Sequence, residues 1–194
     1  MVIIQIPSTG VWGYAVSLDK HKIRSVPIGE NEYGHMQFDT QRTDIGEAVY
    51  QLKYRGDFAQ VDFLARSIIE ALQDNRFPKI HIVIPMPASK IRANQPVYAV
   101  ASKVADMLGV VYSDSTLVKV KSTGAMKDLK SYDDKVAALE GCFVVKENLN
   151  DSNWNALIID DLYDSGASIE AACTALKKYA KISNISVIIL TRTG

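Results

Sequence analysis

The sequence predicts an α/β protein: an open, mainly parallel sheet flanked by helices, with a small N-terminal hood of short strands. Three observations carry this. Two short runs dominated by Ile, Val and Leu, KIHIVIP (79–85) and ALIID (156–160), have the character of strands buried on both faces. Amphipathic helical stretches alternate with such strands, the order that right-handed crossovers between parallel strands require. The first forty residues instead break into short apolar pieces separated by Pro, Gly, Ser and Asp, a pattern of short strands and turns.

Taken in order, Val2 to Ile6, Val11 to Val16 and Ile23 to Ile28 are the opening strands. Thr43 or Asp44 can cap a helix over IGEAVYQL. After Tyr54-Arg55-Gly56-Asp57, a second helix from Phe58 to Leu72 places Val61, Leu64, Ala65, Ile68 and Leu72 at helical spacing. The strand Lys79 to Pro85 leads through a Pro-containing loop to a helix from Pro96 to Leu108, with Val97, Val100, Ala101, Val104 and Leu108 on one face. Val110 to Tyr112 and Leu117 to Val120 read as short strands. From Lys121 to Asp134 the chain is polar and Lys-rich, with no apolar period. Gly141 to Val145 is a short strand and Ala156 to Asp160 a buried one. Ser168 to Ala180 is a helix with Ile169, Ala172, Cys173, Leu176 and Ala180 inward, and Ser186 to Leu190 is the last strand. There is no internal repeat or low-complexity linker. The chain divides into a hood, residues 1–42, and an α/β core, residues 43–194.

Composition narrows the function. The 194 residues suit one domain of ordinary size, and 22 Lys+Arg against 22 Asp+Glu give a formal net charge of zero. Without a basic excess, duplex DNA is a poor candidate for the primary ligand. No apolar run approaches the roughly 20 residues that cross a bilayer, and the start has no basic segment before a signal-type apolar stretch, so a cytoplasmic location and no membrane partner are expected. Cys142 and Cys173 lie far apart with no CxxC, which supports neither a disulfide framework nor a structural zinc site. The three histidines lack metal-ligand spacing: His81 falls inside a strand, and His21 and His35 in the turn-rich opening.

The strongest chemical signal is Leu157-Ile158-Ile159-Asp160-Asp161-Leu162-Tyr163-Asp164-Ser165-Gly166-Ala167-Ser168, a strand that opens directly onto a helix. In open α/β sheets ligands bind at the carboxyl ends of strands. Gly166 and Ala167 let the backbone approach a ligand closely, and the Ser165 and Ser168 hydroxyls join the free N–H groups of a helix start, which carries about half a positive charge. Such a cup suits a phosphate monoester. Asp160 and Asp161, alternating across a strand, cannot form a dyad sharing one proton. They can fork around two vicinal ribose hydroxyls, or one can position a metal-bound water. An Asp-rich turn, with Ser165 or Asp164 as helix cap, is the plainer alternative for an isolated motif.

The stretch Ile158 to Ser168 resembles the phosphoribosyl-pyrophosphate (PRPP) motif of type I phosphoribosyltransferases: an apolar strand, two acids and a hydroxyl- and glycine-bearing loop. Leu52-Lys53-Tyr54-Arg55-Gly56-Asp57, Ile84-Pro85-Met86-Pro87 followed by Arg92, Asn94 and Gln95, and the closing Leu190-Thr191-Arg192 are similar to the ComF (competence protein F) branch of that family. The resemblance covers about residues 43 to 194. Two cysteines are too few for the zinc ribbon common in that branch, and Met126, Lys135 and Ala138 stand where it usually has Gln, Arg and Asn.

The resemblance implies the type I phosphoribosyltransferase fold and a role for each motif. Asp160 and Asp161 would contact the ribose hydroxyls of PRPP, and Asp164, Ser165, Gly166, Ala167 and Ser168 its 5-phosphate, with Asp164 also taking a proton from the incoming nucleophile. Pro87-Ala88-Ser89-Lys90 corresponds to the pyrophosphate loop, with Ala88, Ser89 and Lys90 at the diphosphate; alternatively it is a plain strand-to-helix turn. The segment Lys119 to Lys135, with five Lys and three Asp, falls where the family has its flexible catalytic loop. There Lys119, Lys121 or Lys127 could reach the leaving group, or the segment is simply a solvated loop. Mg²⁺ would enter with PRPP, with Asp160 and Asp161 as its nearest protein carboxylates. The implied activity is phosphoribosyl transfer to an unidentified nitrogenous base or amine, with a homodimer common in the family. The alternative is a non-catalytic PRPP- or nucleotide-sensing module in DNA uptake or recombination, touching single-stranded DNA along the Lys119–Lys135 loop. Trp12, Tyr14, Tyr33 and Phe38 could stack an acceptor base or simply pack the hood.

Overall fold

In the computed structural model, residues 1–88, 93–121, 129 and 131–193 are described. A six-stranded sheet forms the centre, built from β1 (Ile4–Gln5), β2 (Tyr14–Lys20), β5 (Ile82–Pro85), β6 (Val111–Tyr112), β9 (Trp154–Tyr163) and β10 (Ile182–Arg192) in the order β1-β2-β10-β9-β5-β6. The five strands from β2 to β6 in that order run parallel, and β1 closes one edge antiparallel to β2. This is the open, mainly parallel α/β sheet that the sequence predicts.

Both faces of the sheet are covered, which explains the unbroken apolar runs. Leu157 and Ile159 of β9, with Val83 and Ile188, face a layer of α1 (Asp44–Tyr50), α2 (Gln60–Ala71) and α3 (Pro96–Leu108). Ala156 and Ile158, with Ile82, Ile84 and Ile189, face α5 (Ala167–Lys177). Ile169, Ala172, Cys173 and Leu176 of α5 are buried against them. Pro96 begins α3 at a position where its missing N–H costs nothing, and Gly109 ends it.

The opening residues divide between two places. The strands β1 and β2 are laid into the main sheet, with Tyr14 paired to Ser186 and Val16 to Ile188, so Trp12 and Tyr14 are core residues on opposite faces. Only β3 (Arg24–Glu30) and β4 (Met36–Gln41) stand apart, as a two-stranded antiparallel hairpin on which Tyr33 and Phe38 are exposed. The sequence predicts no helix between β7 (Leu117–Lys119) and β8 (Phe143–Val145), a separate antiparallel pair. The structure nevertheless forms α4 (Tyr132–Leu139) there, capped by the Ser131 hydroxyl, which accepts from the Asp134 N–H, and seated by the buried Leu139. A π-helical turn, Gln51–Arg55, links α1 to the loop before α2 and ends at Gly56, whose φ of 69° is left-handed. Among the described residues no helix is long and apolar enough to cross a membrane.

Candidate functional site at the switch point

The chain leaves β5 toward β6 through α3 and leaves β9 toward β10 through α5, in opposite directions along the sheet. The carboxyl ends of β5 and β9 therefore flank the point where strand order reverses, the place where open α/β sheets bind ligands. The Met86 N–H donates to the Ile159 carbonyl at 2.8 Å and ties the two ends together.

Two adjoining cavities open there, sharing Asp160, Leu162 and Ser168 in their walls. One, of about 390 Å³, lies between the loop after β5 and the acids of β9 and includes Lys53, Ala88, Gln95, Tyr98, Lys119, Asp160 and Asp161. The other, of about 370 Å³, is the loop after β9 itself, with Asp164, Ser165, Gly166, Ser168 and Lys135. Each has the volume of a small-molecule site.

The two acids face opposite sides of the sheet, as strand alternation requires. Asp160 shares the α5 side with Ala156 and Ile158; Asp161 shares the α1–α3 side with Leu157 and Ile159. On that second side the π-helical turn delivers Lys53, whose Nζ sits 2.6 Å from Asp161 Oδ2 with both side chains largely buried. Burial opposes the charge on Lys53, but the Asp161 charge and hydrogen bond outweigh it and raise the ammonium pKa. Asp160 goes the other way. Burial first, and then the neighbouring Asp161 carboxylate, hold its pKa well above the usual carboxylate range, while the Asp161 N–H donating to Asp160 Oδ1 at 2.8 Å pulls weakly back. Asp161 thus sits in an ion pair with a lysine, while its surroundings push the Asp160 carboxyl pKa up.

Behind Asp161, the Thr191 hydroxyl donates to its backbone carbonyl at 2.8 Å and meets His21 Nδ1 at 3.2 Å. Burial, followed by Lys22, Arg42 and Lys53, lowers the His21 pKa and keeps it neutral. Neither Lys53 nor His21 is marked by its sequence neighbourhood as part of a site. The resemblance touches Lys53, but its pairing with Asp161 depends on the tertiary packing that sets the π-helical turn after α1 against the end of β9.

At the loop, Gly166 has a φ of 83° and caps α5. A Cβ there would lie 2.6 Å from the Tyr163 hydroxyl oxygen and 2.9 Å from two of its ring carbons, so a side chain would strain the left-handed backbone and push the end of the Tyr163 ring aside. Asp164 is held on one side by the Thr193 hydroxyl, which donates to Oδ1 at 3.0 Å, and on the other by Lys135 Nζ at 3.3 Å from Oδ2.

The residues singled out from the sequence separate into groups. Asp160, Asp161, Asp164, Ser165, Gly166 and Ser168 are brought together along the cleft, as are Ala88 and Lys119; Ala167 is buried beneath the loop as the first residue of α5. The Ala88 N–H is directed at the Tyr98 hydroxyl at 3.4 Å. Lys119 passes the Phe143 ring at 5.8 Å. Lys121 lies outside both cavities, its Nζ donating to the Glu140 carbonyl at 3.4 Å. Ser89, Lys90, Arg92, Met126 and Lys127 lie outside the described residues.

Among the described residues no group of three His, Cys, Asp or Glu could hold a metal ion. Two carboxylates on opposite faces, one already on Lys53, do not make a resident metal site.

No family model matches the chain. The competence protein ComFC of Bacillus subtilis is 26% identical over 148 residues, a match taking in 76% of this chain and 59% of ComFC, so the chain spans less than two thirds of that relative's length. Among solved structures, the adenine phosphoribosyltransferase of Saccharomyces cerevisiae aligns over 87% of this chain and 83% of its own, at 16% identity and a TM-score of 0.46. That of Thermoanaerobacter pseudethanolicus aligns over 88% and 95%, at 15% identity and a TM-score of 0.44. Superpositions this loose transfer no residue roles. In sequence the chain is similar to the competence protein ComFC, and it places its acidic strand end and glycine loop at the switch point of an open α/β sheet.

Proposed function

We propose that the chain binds PRPP in this cleft and transfers its phosphoribosyl group to a nitrogenous base or amine, releasing pyrophosphate. The observation that carries the reading is the pair of adjoining cavities on either side of Asp160: a hydroxyl- and N–H-lined loop at one end, a lysine-flanked space at the other, and carboxylates between. A ribose lies across the acids. Its hydroxyls exchange hydrogen bonds with the carboxyl groups of Asp160 and Asp161. Its 5-phosphate enters the Asp164–Ser168 loop, and the diphosphate lies toward Ala88 and Lys119, with Ser89 and Lys90 following in the same loop.

Transfer requires little covalent chemistry from the protein. The acceptor nitrogen donates its lone pair to the anomeric carbon while the bond to the diphosphate oxygen breaks and its electron pair leaves on pyrophosphate. The proton released by the nitrogen passes to the Asp164 carboxylate. Lys119 offsets part of the negative charge of the leaving group, and Mg²⁺ brought in with PRPP would supply the rest. The test is pyrophosphate release from PRPP and Mg²⁺ across a panel of nucleobases and amines. Release with at least one acceptor supports transfer, and tight PRPP binding without release across a broad panel rejects it.

The similarity to a competence protein favours a second reading: a PRPP- or nucleotide-sensing module acting in DNA uptake or recombination, in contact with single-stranded DNA or a partner protein through the Lys119–Lys135 segment. It requires salt-dependent binding of a single-stranded oligonucleotide that is lost when Lys119, Lys121 and Lys127 become Ala.

A further inference from the structure

Deepening that reading, and resting on it, we propose that Lys135 is a phosphate-binding residue: α4 carries it over the Asp164–Ser168 loop, and an arriving phosphate monoester draws it away from Asp164. Lys135 belongs to the cavity of that loop, where its side chain is only 15% exposed although the Asp164 carboxylate beside it is 64% exposed. A lysine so enclosed beside an open carboxylate is placed by its helix rather than by the ion pair.

The helix is secured independently of that pair. The Ser131 hydroxyl caps its start, the Tyr132 hydroxyl donates to Glu170 of α5, and Leu139 is buried at its end. The charge balance of the cavity then gives Lys135 its purpose. The other ionisable acids in its wall are Asp160 and Asp164, and Lys135 is the cation among the described lining residues. The α5 N-terminus and the hydroxyls of Ser165 and Ser168 supply hydrogen bonds and a partial charge, but a doubly charged monoester beside Asp164 also needs a full positive charge. Because Thr193 holds the other Asp164 oxygen, the carboxylate keeps its place when the lysine swings to the phosphate.

Calorimetric titration with ribose 5-phosphate tests this in the parent chain, Lys135→Met, Lys135→Arg and Asp164→Asn. Losing one charge-assisted hydrogen bond should weaken the Met variant by about 10-fold or more, whereas Arg retains most of the affinity. Asp164→Asn should bind ribose 5-phosphate at least as tightly as the parent, because both the competing anion and the like charge are gone; a purely structural ion pair predicts the reverse. In the unsubstituted chain, the Lys135 side-chain NMR resonance should move on adding ribose 5-phosphate and stay in place on adding ribose. That readout serves if the Met variant does not fold. Equal affinity of folded Lys135→Met and parent, or an unmoved Lys135 resonance at saturating ribose 5-phosphate, overturns the proposal while PRPP binding by the parent leaves the function standing. A parent that binds neither ribose 5-phosphate nor PRPP overturns both.

Discussion

Gly166→Ala isolates the geometry of the proposed phosphate loop. Gly166 and Gly109 both cap helices with left-handed φ, 83° and 64°, but a Cβ at Gly109 meets nothing within 4 Å, whereas at Gly166 it would lie 2.6 Å from the Tyr163 hydroxyl oxygen. Ala at Gly109 therefore incurs only the backbone strain, about 1 kcal/mol, or roughly 2–4 °C in melting temperature for a chain of this size. Ala at Gly166 incurs the same strain and must also displace a half-buried tyrosine whose ring lies 5.9 Å from the Arg192 guanidinium. Shifting the outer end of that ring adds up to about 1 kcal/mol, so the Gly166 variant should melt roughly 2–8 °C below the parent. Its loop would also lose the close backbone approach, weakening ribose 5-phosphate binding by about 10-fold or more. Thermal melts and calorimetric titration of both variants make the comparison. If Gly166→Ala melts with Gly109→Ala and binds ribose 5-phosphate like the parent, the account of the loop is wrong.

Other consequences follow from the same contacts. Lys53→Met leaves the Asp161 carboxylate, only 17% exposed, without its ion-pair partner and should destabilise the fold by about 1–3 kcal/mol, less than for a fully buried pair, with partial recovery in Lys53→Arg; unchanged denaturant midpoints would refute this. Asp160 holds its proton more tightly folded than unfolded, so the unfolded chain ionises first as pH rises and native stability falls from about pH 4 upward, until the folded group ionises too. Asp160→Asn removes that loss, and its melting temperature should gain on the parent's steadily between pH 4 and pH 7; a gap that narrows contradicts the assignment. Tyr132→Phe should speed amide hydrogen exchange in α4 while leaving the exchange of β9 unchanged, because the Tyr132–Glu170 bond is the polar tie between α4 and α5.

What could be read in the sequence follows the range of the forces involved. The strands KIHIVIP and ALIID announce themselves because a parallel strand covered on both faces must be apolar throughout, and α5 because Ile169, Ala172, Cys173 and Leu176 repeat at helical spacing. The loop from Asp164 to Ser168 is a local motif whose conformation its own residues dictate, so it too is legible. The membership of β2 in the central sheet is not, because it depends on pairing with β10 at the far end of the chain. The helix α4 buries only Leu139, which leaves no apolar stripe to detect. For the same reason the site was legible as a list of acids and hydroxyls but not as a charge arrangement: the partners of Asp161 and Asp164 are Lys53 and Lys135, brought in by other elements.

The central claim, that the acids of β9 and the loop beyond them form a PRPP site, is tested most directly by calorimetric titration with PRPP and Mg²⁺. The parent should bind, and an Asp160→Asn/Asp161→Asn variant that still melts cooperatively should bind roughly 100-fold more weakly or not at all, since each acid loses hydrogen bonds to a ribose hydroxyl. Equal binding by the two proteins would contradict the site assignment outright.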